Sequence, residues 1–201
     1  MQRRVMTGAL ATSTFVISLQ ATLRALSSRF DGAALRPFDA QATPAQTWPA
    51  LSAWCLRDLT APWELAFHGA PDRVSAAQRA AAVALVLDGS DRLSACKGSL
   101  DRIRLRLAVK LQDARYWGTA QAGDVWDSGF VPDLQSAWQA LARFQPRRPT
   151  FIVVKGAPSP ERADVLSALQ KRSTAFAKPV RVLLLIKPGE PAPPGADHIP
   201  A

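Results

Sequence analysis

Few side chains in this sequence are able to carry chemistry. His68 and His198 are the only imidazoles, Cys55 and Cys96 the only thiols, and Asp88 and Asp91 follow an apolar run in Val86-Leu87-Asp88-Gly89-Ser90-Asp91. An acid at a strand end suits a nucleotide hydrolase only beside a glycine-rich phosphate cradle, and no G-x-x-x-x-G-K-[ST] occurs. Asp88 and Asp91 therefore read as turn and capping residues. No G-x-S-x-G elbow exists, His198 lies in a Pro-rich tail, and His68 reads as a strand-end histidine, so a Ser-His-Asp hydrolase is not expected. Neither cysteine has a second Cys or a His at ligand spacing, which excludes a zinc site of ordinary pattern and leaves two buried thiols as the plain reading. We expect no catalytic residue, no metal and no cofactor.

Two cationic features remain. Lys155-Gly156 follows an apolar run and could meet an anion at the start of a helix opening near Pro160. The second feature is larger. Arg102, Arg104, Arg106 and Lys110 alternate with apolar residues, and Arg115, Tyr116 and Trp117 follow. As one face and the tip of a hairpin, these seven would track phosphates and stack bases. The same pattern also guards an exposed strand against edge-to-edge pairing.

The elements that would hold these residues come from periodicity. Ile103, Leu105, Leu107, Val109 and Leu111 recur at every second position, which predicts a strand over 102–112 with one face inward. A second extended segment over 124–130 follows a tip over 115–123, so the two predict a hairpin. Trp126 is large enough to pin that hairpin to the helices. Upstream, 33–38 reads as a short extended piece, 48–59 as a short helix, 63–68 as a strand, 75–82 as an Ala-rich helix and 83–87 as a buried strand. Downstream, Pro132 and Asp133 open a helix stopped by Pro146. Residues 150–154 and 180–186 are continuous apolar strands, and the helix between them has Ser159 at its N-cap and Pro160 at its first position. The prediction is an α/β fold: a mixed sheet with a central β-hairpin, flanking helices and a C-terminal βαβ unit, all within 1–187. The tail over 188–201 is rich in proline and reads as flexible, with no means of packing.

Charge and the chain's beginning bound the partners. Lys and Arg number 25 against 16 acids, a net charge of +9, which suits nucleic acid, anionic lipid or acidic protein without choosing among them. No long uninterrupted apolar run predicts a membrane span. Residues 1–30 carry Arg3, Arg4, Arg24 and Arg29 and no acid, while Phe15, Val16, Leu19, Leu23, Leu26 and Phe30 fall at helical spacing. A core helix, a secretory signal and an organellar presequence are the three readings. The first goes with a cytoplasmic protein, the others with a periplasmic or organellar one.

Taken together, Val86-Leu87-Asp88-Gly89-Ser90, Asp101-Arg102-Ile103-Arg104-Leu105, Leu111-Gln112-Asp113-Ala114 and Gly123-Asp124-Val125-Trp126-Asp127-Ser128-Gly129-Phe130 resemble the TolB amino-terminal-like module. That module is similar in turn to FlgO and CsgG-type assembly proteins, and the resemblance covers about residues 8–145. It implies a non-enzymatic protein-interaction or assembly module, accessory to a bacterial envelope or regulatory complex, with another protein as partner. The alternative is a nucleic-acid-binding protein that uses the basic hairpin face. A continuous helix through Leu105 and Leu111 would remove the pattern on which the kinship depends.

Overall fold

Why one sheet can bury a strand such as 180–186 on both faces is answered by a computed structural model, which describes residues 35–38, 48–96, 98–114 and 118–201. In chain order the elements are α1 (Pro49–Leu56), β1 (Trp63–Gly69), α2 (Arg73–Leu87), α3 (Ser90–Ala95), α4 (Ser99–Ala114), β2 (Asp127–Val131), α5 (Gln135–Ala142), β3 (Thr150–Lys155), α6 (Pro160–Arg172), β4 (Val180–Ile186) and β5 (Asp197–His198). The strands form one sheet in the order β2-β3-β4-β1-β5, and every pairing is parallel. Parallel sheets need both faces covered. Alternation along each strand supplies two apolar faces. Ala66, Phe151, Val153, Leu183 and Leu185 pack with α1 and α2, whereas Ile152, Val154, Val180, Val182, Leu184 and Ile186 pack with α5 and α6. The result is an α/β fold of three layers.

The expected βαβ unit is present: β3 and β4 are neighbours in parallel, joined through α6, with Ser159 at its N-cap and Pro160 at its first position. Chain 35–38 is extended, and Arg36 and Phe130 exchange two backbone hydrogen bonds of 3.0 Å in a single antiparallel bridge on the outer edge of β2. Gly129 permits that approach, because a Cβ there would stand 2.7 Å from the Arg36 carbonyl oxygen.

Three expectations are corrected. Residues 83–87 are the last turn and a half of α2 and not a strand. The helix begins at Asp72, whose carboxylate accepts from the Val74 N–H, and its Ala-rich body continues into Val83–Leu87 without a breaker. It buries Ala76, Ala77, Ala80, Ala81, Val83, Ala84 and Leu87, so an apolar run marks a helix lying flat on the sheet. Residues 102–112 belong to α4, so there is no central hairpin and the sheet is not mixed. Leu, Arg, Lys, Ala and Gln are strong helix formers, and only Ile103 and Val109 in this segment are β-branched. The second half of the expected hairpin, β2, pairs with β3 instead. Arg102, Arg104 and the turn residues 111–114, on which the TolB-like pattern depends, are therefore helical. Finally, the end of the chain does pack. Asp197 and His198 pair with β1, Ile199 is buried, and the Trp48 indole N–H donates to the Pro200 carbonyl at 2.7 Å. The N-terminal segment 1–30 lies outside the described residues.

Candidate interaction surface

The sites that sequence chemistry singled out are occupied by structural work. His68 is buried, its Nδ1 stands 2.8 Å from the Ile199 carbonyl, and its ring meets Trp48 edge-on. His198 leans on Phe67 across the strand pair. Asp88 accepts from the Ser90 N–H and Asp91 from the Arg92 N–H, as turn and cap residues do. Cys55 and Cys96 are both free thiols; Cys55 is buried and burial pushes its thiol up, away from the reactive thiolate. Among the described residues no cluster of three or more His, Cys, Asp or Glu is placed to hold a metal ion, and no helix is long and apolar enough to cross a membrane.

The carboxyl ends of parallel strands are where α/β sheets commonly bind ligands. Here a small cavity of about 100 Å³ is lined by Phe130, Asp133, Trp138, Lys155 and Arg162 among others. Its cations are engaged: the Lys155 ammonium lies 4.6 Å from the centre of the Phe130 ring, and Arg162 pairs with Asp133 and stacks over Trp138. Gly156 adopts φ +99°, and a Cβ there would approach Arg73 Nη1 to 3.0 Å. At the other end of the sheet Arg181 is fully buried on β4. Its guanidinium donates to the carbonyls of Asp58 and Ala61, and its Nε stands 3.5 Å from Glu64. Glu64 in turn meets Arg57, which also holds Asp197. That chain of charges is a clasp that ties α1, β1, β4 and the chain end together.

What stands out is the outer face of α4. Leu100, Ile103, Leu107 and Leu111, spaced three and four apart, fall on one side of the helix and are 70%, 57%, 56% and 58% exposed. Arg102, Arg106 and Lys110, each four residues from the next, form a parallel basic row beside Ile103, and Arg104 borders the apolar row on its other flank. All four cations are exposed. Leu105 and Val109 point the opposite way and are half-buried. Gln112 holds the helix to the domain: its side-chain amide donates to the Val125 carbonyl at 2.9 Å and accepts from the Val125 N–H at 2.8 Å, as a backbone partner would. Four Leu and Ile side chains at this exposure present on the order of 400 Å² of apolar surface, the size at which a patch on a single chain is often functional.

Of the seven expected binding residues, four are described: the structure brings Arg102, Arg106 and Lys110 into one row, sets Arg104 across the apolar row from them, and places all four on a helix and not a strand. Arg115, Tyr116 and Trp117 lie outside the described residues. The exposed apolar row is the part that sequence reading missed, since alternation assigns Ile103, Leu107 and Leu111 to the interior and gives Leu100 no role. The helix-forming composition of the segment was the signal. No family model matches the chain, and no curated protein or solved structure does.

Proposed function

We propose that this protein is a non-enzymatic interaction or assembly module, and that it works through the outer face of α4. One observation supports the reading above the others: a helix fixed to the domain by Gln112 leaves Leu100, Ile103, Leu107 and Leu111 in water. Apolar surface in a contiguous row is costly to expose and is removed from water by association. The proposal does not draw on the TolB-like pattern, whose strand is a helix here.

The test is affinity capture from a host lysate treated with nuclease, using the wild-type chain and Leu107→Asp as paired baits. A protein retained by the first and lost with the second is the expected result. An identical set of captured proteins on both baits overturns the reading. A nucleic-acid role is the second reading, and the basic row Arg102, Arg106 and Lys110 is what favours it. It requires a salt slope falling by roughly 0.7 to 0.9 per phosphate contact and reduced by substitution in that row. It gives no role to the apolar residues alongside.

A further inference from the structure

We propose that the occupant of the α4 face is an acidic amphipathic helix of a partner protein, its apolar row laid on Leu100, Ile103, Leu107 and Leu111 and its Asp or Glu row set against Arg102, Arg106 and Lys110. The inference rests on the docking reading above and adds the chemistry of the partner. Three features of the surface select it.

The first is charge. The apolar row has Arg106 and Lys110 on one side and Arg104 on the other, so any occupant brings its own flanks within reach of cations. A second copy of this chain would set basic rows against each other. The chain's own segment 1–30 has Arg24 and Arg29 and no acid, which repels in the same way. The second feature is width. The exposed row occupies a narrow seam with spacings of three and four, which is the geometry of helix pairing by knobs and holes. Helices that lie in a lipid interface present a broader apolar face with bulky aromatics, and this row holds only Leu and Ile. The third is direction. Gln112 pins α4 to the backbone of Val125, so α4 arrives preorganised and its partner supplies the second helix.

The experiment uses the full chain and two synthetic peptides with one leucine register, one carrying Glu and the other Lys beside the leucines, with binding read by fluorescence anisotropy. The Glu peptide is expected to bind about tenfold more tightly than the Lys peptide, the sum of three rim ion pairs of usual strength, with the gap closing at high salt. Arg106→Glu with Lys110→Glu is expected to invert the preference. Ile103→Ser with Leu107→Ser is expected to abolish binding of both peptides while circular dichroism stays unchanged. Equal affinity for the two peptides, still lost in the Ser variant, overturns the acidic partner and leaves the docking face standing. Binding of neither peptide overturns both. Sedimentation with vesicles of equal parts phosphatidylcholine and phosphatidylglycerol, dependent on Leu107 and not competed by the Glu peptide, overturns the proposal in favour of a lipid surface.

Discussion

An alanine series along α4 separates its two faces by stability alone. On a strand, Ile103, Leu105, Leu107, Val109 and Leu111 would share one buried face, and each truncation would cost a similar amount. On the helix they divide. Leu107 and Leu111 are more than half exposed, and alanine is the better helix former, so Leu107→Ala and Leu111→Ala are each expected within about 0.5 kcal/mol of the parent. Leu105 and Val109 are half-buried, and their truncation is expected to cost ~1 to 2 kcal/mol, below the range for a fully buried aliphatic side chain because burial is partial. Urea unfolding at fixed pH reads the difference directly from the midpoint, provided the slope is unchanged. The binding consequence runs the other way. Leu107 leaves roughly 100 Å² of apolar surface in water, worth ~2.5 kcal/mol when a partner covers it, so Leu107→Ala should weaken association strongly while leaving the fold alone. A stability loss at Leu107 as large as that at Leu105 would refute the division of faces, and the docking surface with it.

Three further outcomes follow from the packing. Trp126 is 1% exposed, between the sheet and α2, and Trp126→Ala should cost about 3 to 5 kcal/mol in chemical denaturation. Arg181→Met removes the donor to the Asp58 and Ala61 carbonyls and leaves Glu64 with less compensation; a loss of ~3 to 5 kcal/mol is expected, with Arg181→Met/Glu64→Leu recovering part of it, and a single variant as stable as the parent would dismiss the clasp. The Ser75 hydroxyl and the Val74 N–H hold the Asp72 carboxyl below its usual value. Its folded pKa lies below its unfolded one, so its contribution is present above the ordinary carboxylate range and is lost as pH falls through the depressed value. Across that acid window the melting temperature of the parent should fall more steeply with decreasing pH than that of Asp72→Ala.

Those elements whose sequence carried two independent signals were legible. Thr150–Lys155 and Val180–Ile186 are built on the apolar runs 151–154 and 182–186 and flank a helix marked by Ser159-Pro160, so apolarity and capping agreed. Trp63–Gly69 and Pro49–Leu56 were likewise readable. Residues 83–87 were not, because a helix buried on the sheet and a buried strand have the same apolar run. The α4 segment failed for a different physical reason. Period two implies a strand only if apolar residues are inside, and in α4 the row at 100, 103, 107 and 111 is outside. An exposed apolar row thus imitated the signature of a fold. Of the candidate site, the cations were legible as surface residues, but their partition into a row and a single opposite flank needed the helix.

The end of the chain has a practical side. Among the described residues only Asp197 and His198 pair with the free edge of β1, and they bring Ile199 and the Pro200 carbonyl onto His68 and Trp48. Trimming the last five residues would strip the hem from the sheet, wet an indole and an imidazole at once, and offer the rim of Trp63–Gly69 to any stray strand. A purification handle fused directly after Ala201 would pull on that same seam.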